Sequence, residues 1–150
     1  MRDAELWHFA FGSNLNIFQM MKRVGEWKTS RRAYLEGYQL VFNVKSSRWG
    51  GLAANLRNTG AASDKVDGAV YLLTEKKISV LTSYEKAEPT RVTVKLEDGS
   101  ELKNVVAYLW DKRGTSGRPP EAYVQTIIEG LTQHGYGEDA IARVRSIAQN

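Results

Sequence analysis

Cysteine is absent from the 150 residues. Disulfide frameworks, thiolate metal sites and cysteine nucleophiles are therefore excluded. Histidine is scarce, with His8 and His134 alone, and neither stands in a ligand-spaced cluster such as HExxH, so no metal is expected. No run approaches the roughly 20 apolar residues of a membrane-spanning helix. The apolar stretch after the mixed-charge start Met1-Arg2-Asp3-Ala4-Glu5 is too short for the core of a signal sequence. A cytoplasmic protein with no membrane partner is expected. Internal repeats and linker-like stretches are also missing, so residues 1–150 read as a single domain, near the usual size of about 100–150 residues.

Charge of one sign is in modest excess. The formal net charge is +4, from 21 basic and 17 acidic residues. Residues 1–60 hold 9 Lys/Arg against 4 Asp/Glu, so the excess lies in the first part of the chain. The basic pairs Lys22-Arg23, Arg31-Arg32, Lys76-Lys77 and Lys112-Arg113 are scattered and form no nucleic-acid motif. No nucleic-acid partner is expected, whereas attraction for small anions fits the same charge.

What is present is a sequence with 42% hydrophobic and 25% charged residues, the balance of a folded domain. Leu6 to Phe11 is an apolar and aromatic run stopped by Gly12-Ser13-Asn14, a buried strand ending in a turn. Ile17, Phe18, Met20, Met21 and Val24 then share one helical face, closed by Gly25, with Asn14 or Asn16 available as N-cap. Residues 31–44 read as one long strand, or two broken near Gly37. Arg48 to Gly51 is a turn, and Leu52–Arg57 and Val66–Leu73 are two more strands, with neighbouring segments expected to pair.

Thr74 caps a helix over Glu75–Tyr84 with Ile78, Leu81 and Tyr84 at helical spacing, and Pro89 is expected to stop it. Asp98-Gly99 between Arg91–Leu96 and Leu102–Trp110 is a hairpin signal. A loop over 111–120 leads through Pro119-Pro120 into a helix marked by Tyr123, Ile127, Ile128 and Leu131, and a last helix starts at Glu138 with Ile141, Val144 and Ile147 on one side. The sum is an α+β domain: a small, mostly antiparallel, barrel-like sheet with flanking helices.

Two features carry chemistry. A glycine between strand and helix permits a sharp turn, and successive N–H groups at the start of a helix can hold an anion or a developing oxyanion, although Gly-Ser-Asn also makes ordinary turns and caps. Glu85 continues the Ile78, Leu81 stripe at the C-terminal end of its helix, where burial and the helix dipole would both raise its pKa. The competing reading leaves Glu85 in water at a frayed end, beside Lys86 and Glu88.

Phe9-Ala10-Phe11-Gly12-Ser13-Asn14-Leu15, Trp49-Gly50-Gly51-Leu52-Ala53, Leu81-x-x-x-Glu85, Val106-Ala107-Tyr108-Leu109 and Pro119-Pro120-x-x-Tyr123 follow one another as in the gamma-glutamylcyclotransferase family. The sequence resembles that family over about its whole length. The resemblance implies conversion of a γ-glutamyl amino acid or amine to 5-oxoproline and the free amine, with no cofactor and a small-molecule γ-glutamyl substrate as partner. It assigns acid/base catalysis to Glu85 and substrate binding to Phe11, Gly12, Ser13, Asn14, Leu15, Gly51, Tyr108 and Tyr123. A homodimer is compatible with it.

The reaction suits these parts. The substrate's own α-amine attacks its γ-carbonyl, so the protein supplies no nucleophile and has mainly to fold the substrate into attack geometry. That amine, with a pKa of about 7.7–8.0, is largely protonated at neutral pH and needs a base. Glu85 could take the proton and return one to the departing nitrogen.

The sequence also departs from the family's pattern. Phe11 replaces a tyrosine, Lys86 stands where many relatives carry glycine, and Ala87 to Arg91 lacks an aromatic residue. These departures favour the alternative of a non-catalytic small-ligand-binding or interaction module on the same fold. His8 reads as a packed strand residue, His134 as a positively inclined helix C-cap, Trp49 as a pocket-wall aromatic and Glu88 as a minor competitor of Glu85. The leaving amine is expected to meet the loop over 111–118.

Overall fold

The computed structural model describes residues 4–111 and 114–149. The charged start Met1 to Asp3 and the Lys112-Arg113 pair lie outside the described residues. Seven strands and four helices follow in the order β1 (Glu5–Ala10), α1 (Ile17–Val24), β2 (Ser30–Glu36), β3 (Tyr38–Ser46), β4 (Gly51–Asn58), β5 (Lys65–Thr74), α2 (Glu75–Tyr84), β6 (Glu88–Leu96), β7 (Glu101–Leu109), α3 (Glu121–Gln133) and α4 (Glu138–Ala148). A 3-10 turn over Ser13–Leu15 joins β1 to α1.

Five strands close a barrel in the order β1-β5-β2-β6-β7. Its pairs are antiparallel except β1 with β7, which run parallel where His8 meets Val106. Closure removes the free edges that an open sheet would expose. The barrel is filled by alternate side chains such as Phe9, Leu35, Val70, Val94 and Val105, each nearly solvent-free.

The long segment 31–44 divides at Gly37, whose φ of 83° no β-branched residue would adopt. Its second half leaves the barrel: β3 pairs with β4 as a separate two-stranded hairpin. This corrects the expectation that neighbouring segments pair throughout, since β5 pairs with β1 and β2 instead. The Asp98-Gly99 hairpin between β6 and β7 forms as expected, with Asp98 accepting from the Ser100 N–H at 2.9 Å. Pro89 lies near the start of β6, opposite Tyr108, and does not stop α2, which has already ended at Tyr84.

Helix α1 is rotated relative to its apolar pattern. Met20 is buried, but Phe18 and Met21 are exposed, because the inward face is taken by Asn16, Met20 and Arg23 at spacings of four and three. Asn16 is the N-cap, accepting from the Gln19 N–H at 3.2 Å. Helix α3 crosses the turn before α1 at close range: a Cβ on Gly130 would lie 2.5 Å from the Leu15 carbonyl carbon. Helix α4 turns Ala140, Val144 and Ala148 fully inward, with Ile141 and Ile147 half-buried. Among the described residues, no helix is long and apolar enough to cross a membrane.

Candidate active site

The barrel mouth, the turn after β1, the end of α2 and the β3–β4 hairpin enclose a cavity of about 930 Å³. That is the size of a small-molecule site. Phe11, Gly12, Ser13, Asn14, Gly51 and Tyr108 line it, as do Tyr123 and Glu85. Leu15, also expected at the site, does not: it is fully buried, and its carbonyl accepts from the Tyr71 hydroxyl at 3.1 Å and from His134 Nε2 at 3.0 Å. Leu15 anchors the turn from behind.

Residue 85 and the turn, some seventy positions apart in sequence, are in direct contact. Asn14 Nδ2 donates to Glu85 Oε1 at 2.7 Å. Glu85 is the C-cap of α2 with extended backbone, φ −96° and ψ 135°, so its side chain leaves the helix and enters the cavity. The carboxylate is 22% exposed. Burial pushes its pKa up, opposed by the Asn14 hydrogen bond and by the charges of Arg23 and Arg48. The helix end thus matters as a way of aiming the side chain, and two arginines oppose the upward push.

Arg23 is the residue that the sequence pattern did not reveal. It is 9% exposed, donates from Nη1 to Asn14 Oδ1 at 2.9 Å and stands 3.9 Å from Glu85 Oε1. Gln19 Nε2 donates to Ser13 Oγ at 2.8 Å and also reaches Asn14 Oδ1 at 3.3 Å. With two donors on its oxygen, the Asn14 amide can present only its NH₂ to Glu85. The signal for Arg23 was its spacing from Asn16 and Met20, hidden by the more apolar but solvent-facing Phe18 and Met21.

Gly12 has a negative φ, −115° with ψ −138°, so its need is for space rather than for a left-handed turn. A Cβ there would lie 3.0 Å from the Tyr123 hydroxyl and 3.1 Å from Ala54 Cβ. Tyr123 is buried and accepts from the Ala54 N–H at 2.8 Å, with the Ser13 N–H directed at the same oxygen. Its own proton is therefore available for donation. Within the turn, the N–H groups of Leu15 and Asn16 are spent on Gly12 and Ser13 carbonyls at 3.0 and 2.9 Å. With the Ser13 N–H directed at Tyr123, the row of amide donors expected over Gly12 to Leu15 is shorter, and the Tyr123 hydroxyl stands beside it.

Tyr108 bonds Thr82 Oγ1 at 2.7 Å, and burial raises its pKa. Gly51 packs against Pro120, to which a Cβ would come within 2.7 Å. Trp49 lies edge-on to Tyr123, 4.9 Å between ring centres. Glu88 is exposed and lies outside the cavity lining.

Both histidines are less charged than a surface imidazole. His8 is buried, bonds the Val106 carbonyl through Nδ1 at 2.9 Å, and is held down to about 4 by burial, while its Nε2 has no hydrogen-bond partner among the described residues. His134 is the C-cap of α3, where burial lowers its pKa against the expected positive character, opposed by its hydrogen bond to the Leu15 carbonyl. Among the described residues, no three His, Asp or Glu side chains cluster as a metal site would require.

Of the loop expected to meet the leaving amine, residues 112 and 113 lie outside the described residues; the Gly117 N–H bonds the Phe42 carbonyl at 3.1 Å, and Ser116 and Gly117 border a separate cavity of about 410 Å³ near α4. The outer wall of the main cavity is the end of β3 and the β3–β4 turn, Lys45 to Gly50.

A closed five-stranded barrel with a turn-and-carboxylate cavity at its mouth defines a small α+β architecture. The pattern of the family described as "Gamma-glutamyl cyclotransferase, AIG2-like" matches residues 8–126, and the chain belongs to that family. Its fold is similar to a solved "Gamma-glutamyl cyclotransferase", with a TM-score of 0.86 and 22% identity over 98% of this chain and 90% of that one. An uncharacterized protein from Homo sapiens matches with a TM-score of 0.83 and 22% identity over 97% and 89%. A yeast cyclotransferase described as specific to glutathione matches at 0.69 and 12% identity over 97% of each chain. No curated protein sequence matches.

Proposed function

We propose that the protein converts a γ-glutamyl amino acid or γ-glutamyl amine into 5-oxoproline and the free amine. The observation that carries this reading is the 2.7 Å hydrogen bond between Glu85 and Asn14, which puts a carboxylate of raised pKa beside the turn in one cavity. The family to which the chain belongs supports it.

The chemistry follows from the groups present. Glu85 takes a proton from the α-ammonium of the bound substrate. The freed amine attacks the γ-carbonyl carbon, and a five-membered ring closes with a new C–N bond. The charge developing on the carbonyl oxygen meets the Tyr123 hydroxyl and the amide N–H groups of Gly12 and Asn14; a donor of this kind contributes about 2.7–4 kcal/mol in other oxyanion sites. Glu85 then returns its proton to the departing nitrogen as the original amide C–N bond breaks, and, ionised again, takes the second proton from the ring nitrogen and passes it to the freed amine. Atoms and protons balance without water or a protein nucleophile. Arg23 holds Asn14, and Asn14 holds Glu85, in the orientation that both proton transfers need.

The test is release of 5-oxoproline from a panel of γ-glutamyl amino acids and amines. Wild-type protein is expected to release it, and Glu85→Gln to be slower by about 10³-fold, in the range for loss of an acid/base group. No release from any substrate, or equal release by Glu85→Gln, would overturn the proposal.

A further inference from the structure

The side chains that line the cavity carry an uneven charge. Four cations, Arg23, Lys45, Arg48 and Lys86, face one carboxylate, Glu85, among the described residues. Arg23 is committed to Asn14 and Glu85 on the floor. The other three stand on the outer wall, contributed by the β3–β4 turn and by the residue after Glu85. None of the three forms an ion pair among the described residues, whereas Arg32, Lys95 and Arg143 elsewhere on the surface each have an acidic partner.

The wall cations are held in place by neutral groups. Lys86 Nζ donates to the Lys45 carbonyl at 3.0 Å and lies 5.3 Å from the centre of the Trp110 ring. The Arg48 guanidinium lies over Tyr84, 5.2 Å from the ring centre, and Arg23 lies over the same ring at 4.9 Å. Aromatic faces and a carbonyl fix the direction of these side chains without neutralising them. Lys86 keeps two ammonium protons and Arg48 its full fork of donors for a ligand.

A γ-glutamyl group brings one α-ammonium and one α-carboxylate and is neutral overall, so the net charge of the substrate is set by its leaving amine. With the reacting carbonyl placed at the turn, the leaving amine extends from the floor toward the outer wall. We propose that Arg48 and Lys86 form a subsite for a carboxylate on the leaving amine, so that γ-glutamyl conjugates of amino acids or short peptides are preferred over those of neutral or cationic amines. The inference rests on the cyclotransferase reading and selects within it. A cleft lined by one sign of charge concentrates ligands of the opposite sign, and an Arg–carboxylate fork adds directional hydrogen bonds.

The experiment compares kcat/KM for 5-oxoproline release from γ-glutamyl-alanine, its neutral C-terminal amide and γ-glutamyl-putrescine. Wild-type protein should favour the acid over the amide by about tenfold, mainly through KM, and the amide over the cationic conjugate. The acid-to-amide ratio should fall to within about twofold in the Arg48→Gln, Lys86→Gln double variant. Both substrates use the same Glu85, so the ratio cancels any effect of Arg48 on that carboxylate, and a structural role alone would leave the ratio unmoved. Equal use of all three substrates by the wild type, or an undiminished preference in the double variant, would overturn this inference alone. Release from none of the three would overturn it together with the proposed function.

Discussion

The floor and the outer wall of the cavity are built in opposite ways. On the floor, Ser13, Asn14, Arg23, Gln19 and Glu85 form one continuous hydrogen-bonded group, and Asn14 is 6% exposed. On the wall, Arg48 and Lys86 are exposed and steadied by ring faces and one carbonyl. A proton-transfer group must keep one position, which a buried network over-determines. A wall that meets the variable end of a ligand needs charge and reach more than a single geometry. Under the proposed function, chemistry falls to the floor and selectivity to the wall.

That division predicts where pH and mutation act. The largest effect expected is on stability, and it comes from the buried side of the cavity. His8 lines the cavity and is held down to about 4, against an ordinary 6.5 in the unfolded chain. Between these values the unfolded state binds the extra proton, so stability falls as pH drops from 6.5 to about 4 and is unaffected above that window. The gap corresponds to about 3 kcal/mol. Denaturant unfolding of wild type and His8→Phe at pH 7.5 and pH 4 should show a difference that shifts by this amount in favour of Phe at the lower pH. An unchanged difference would mean that His8 is not held neutral by the fold.

Next in size is Arg23. Replacing it with Met removes the donor that orients Asn14 and the charge that favours ionised Glu85, so the carboxylate pKa should rise further. In a pH profile of kcat/KM, the acidic limb should move to higher pH, with a loss of about 30-fold at neutral pH and partial recovery on going alkaline. Arg23→Lys should restore the limb better than the rate, because an ammonium keeps the charge but not the planar fork. A uniform loss at all pH values would reduce Arg23 to packing.

Smaller still is Gly12→Ala. The added methyl meets the Tyr123 hydroxyl and Ala54 at distances that neighbours can relieve by a few tenths of an ångström. It should lower kcat/KM by about tenfold with a stability loss of about 1 kcal/mol. An effect on KM for the leaving amine alone would place Gly12 with the wall and blur the comparison.

Much of the floor was legible in sequence because its parts are local. A strand stopped by Gly12-Ser13-Asn14, a helix capped by Thr74 and a glutamate at the end of that helix are short-range patterns. Tyr108 and Tyr123 came through the family resemblance. What escaped depends on contacts distant in sequence. Closure of the barrel through parallel β1 and β7, departure of the β3–β4 hairpin from the sheet and the inward turn of Arg23 have no local signature. Hydrophobicity even misled in α1, where Phe18 and Met21 face solvent and a charged side chain faces the site. The position of residues 114–118 has no local signature either: the Gly117 N–H bonds the Phe42 carbonyl of β3.

The most direct measurement is a crystal structure of Glu85→Gln soaked with an intact γ-glutamyl dipeptide. The account predicts the γ-carbonyl oxygen within about 3 Å of the amide N–H of Gly12 or Asn14 or the Tyr123 hydroxyl, and the α-nitrogen at hydrogen-bonding distance from the residue 85 side chain. A dipeptide seated in the smaller cavity by α4, or bound here with its α-nitrogen turned away from residue 85, would contradict it.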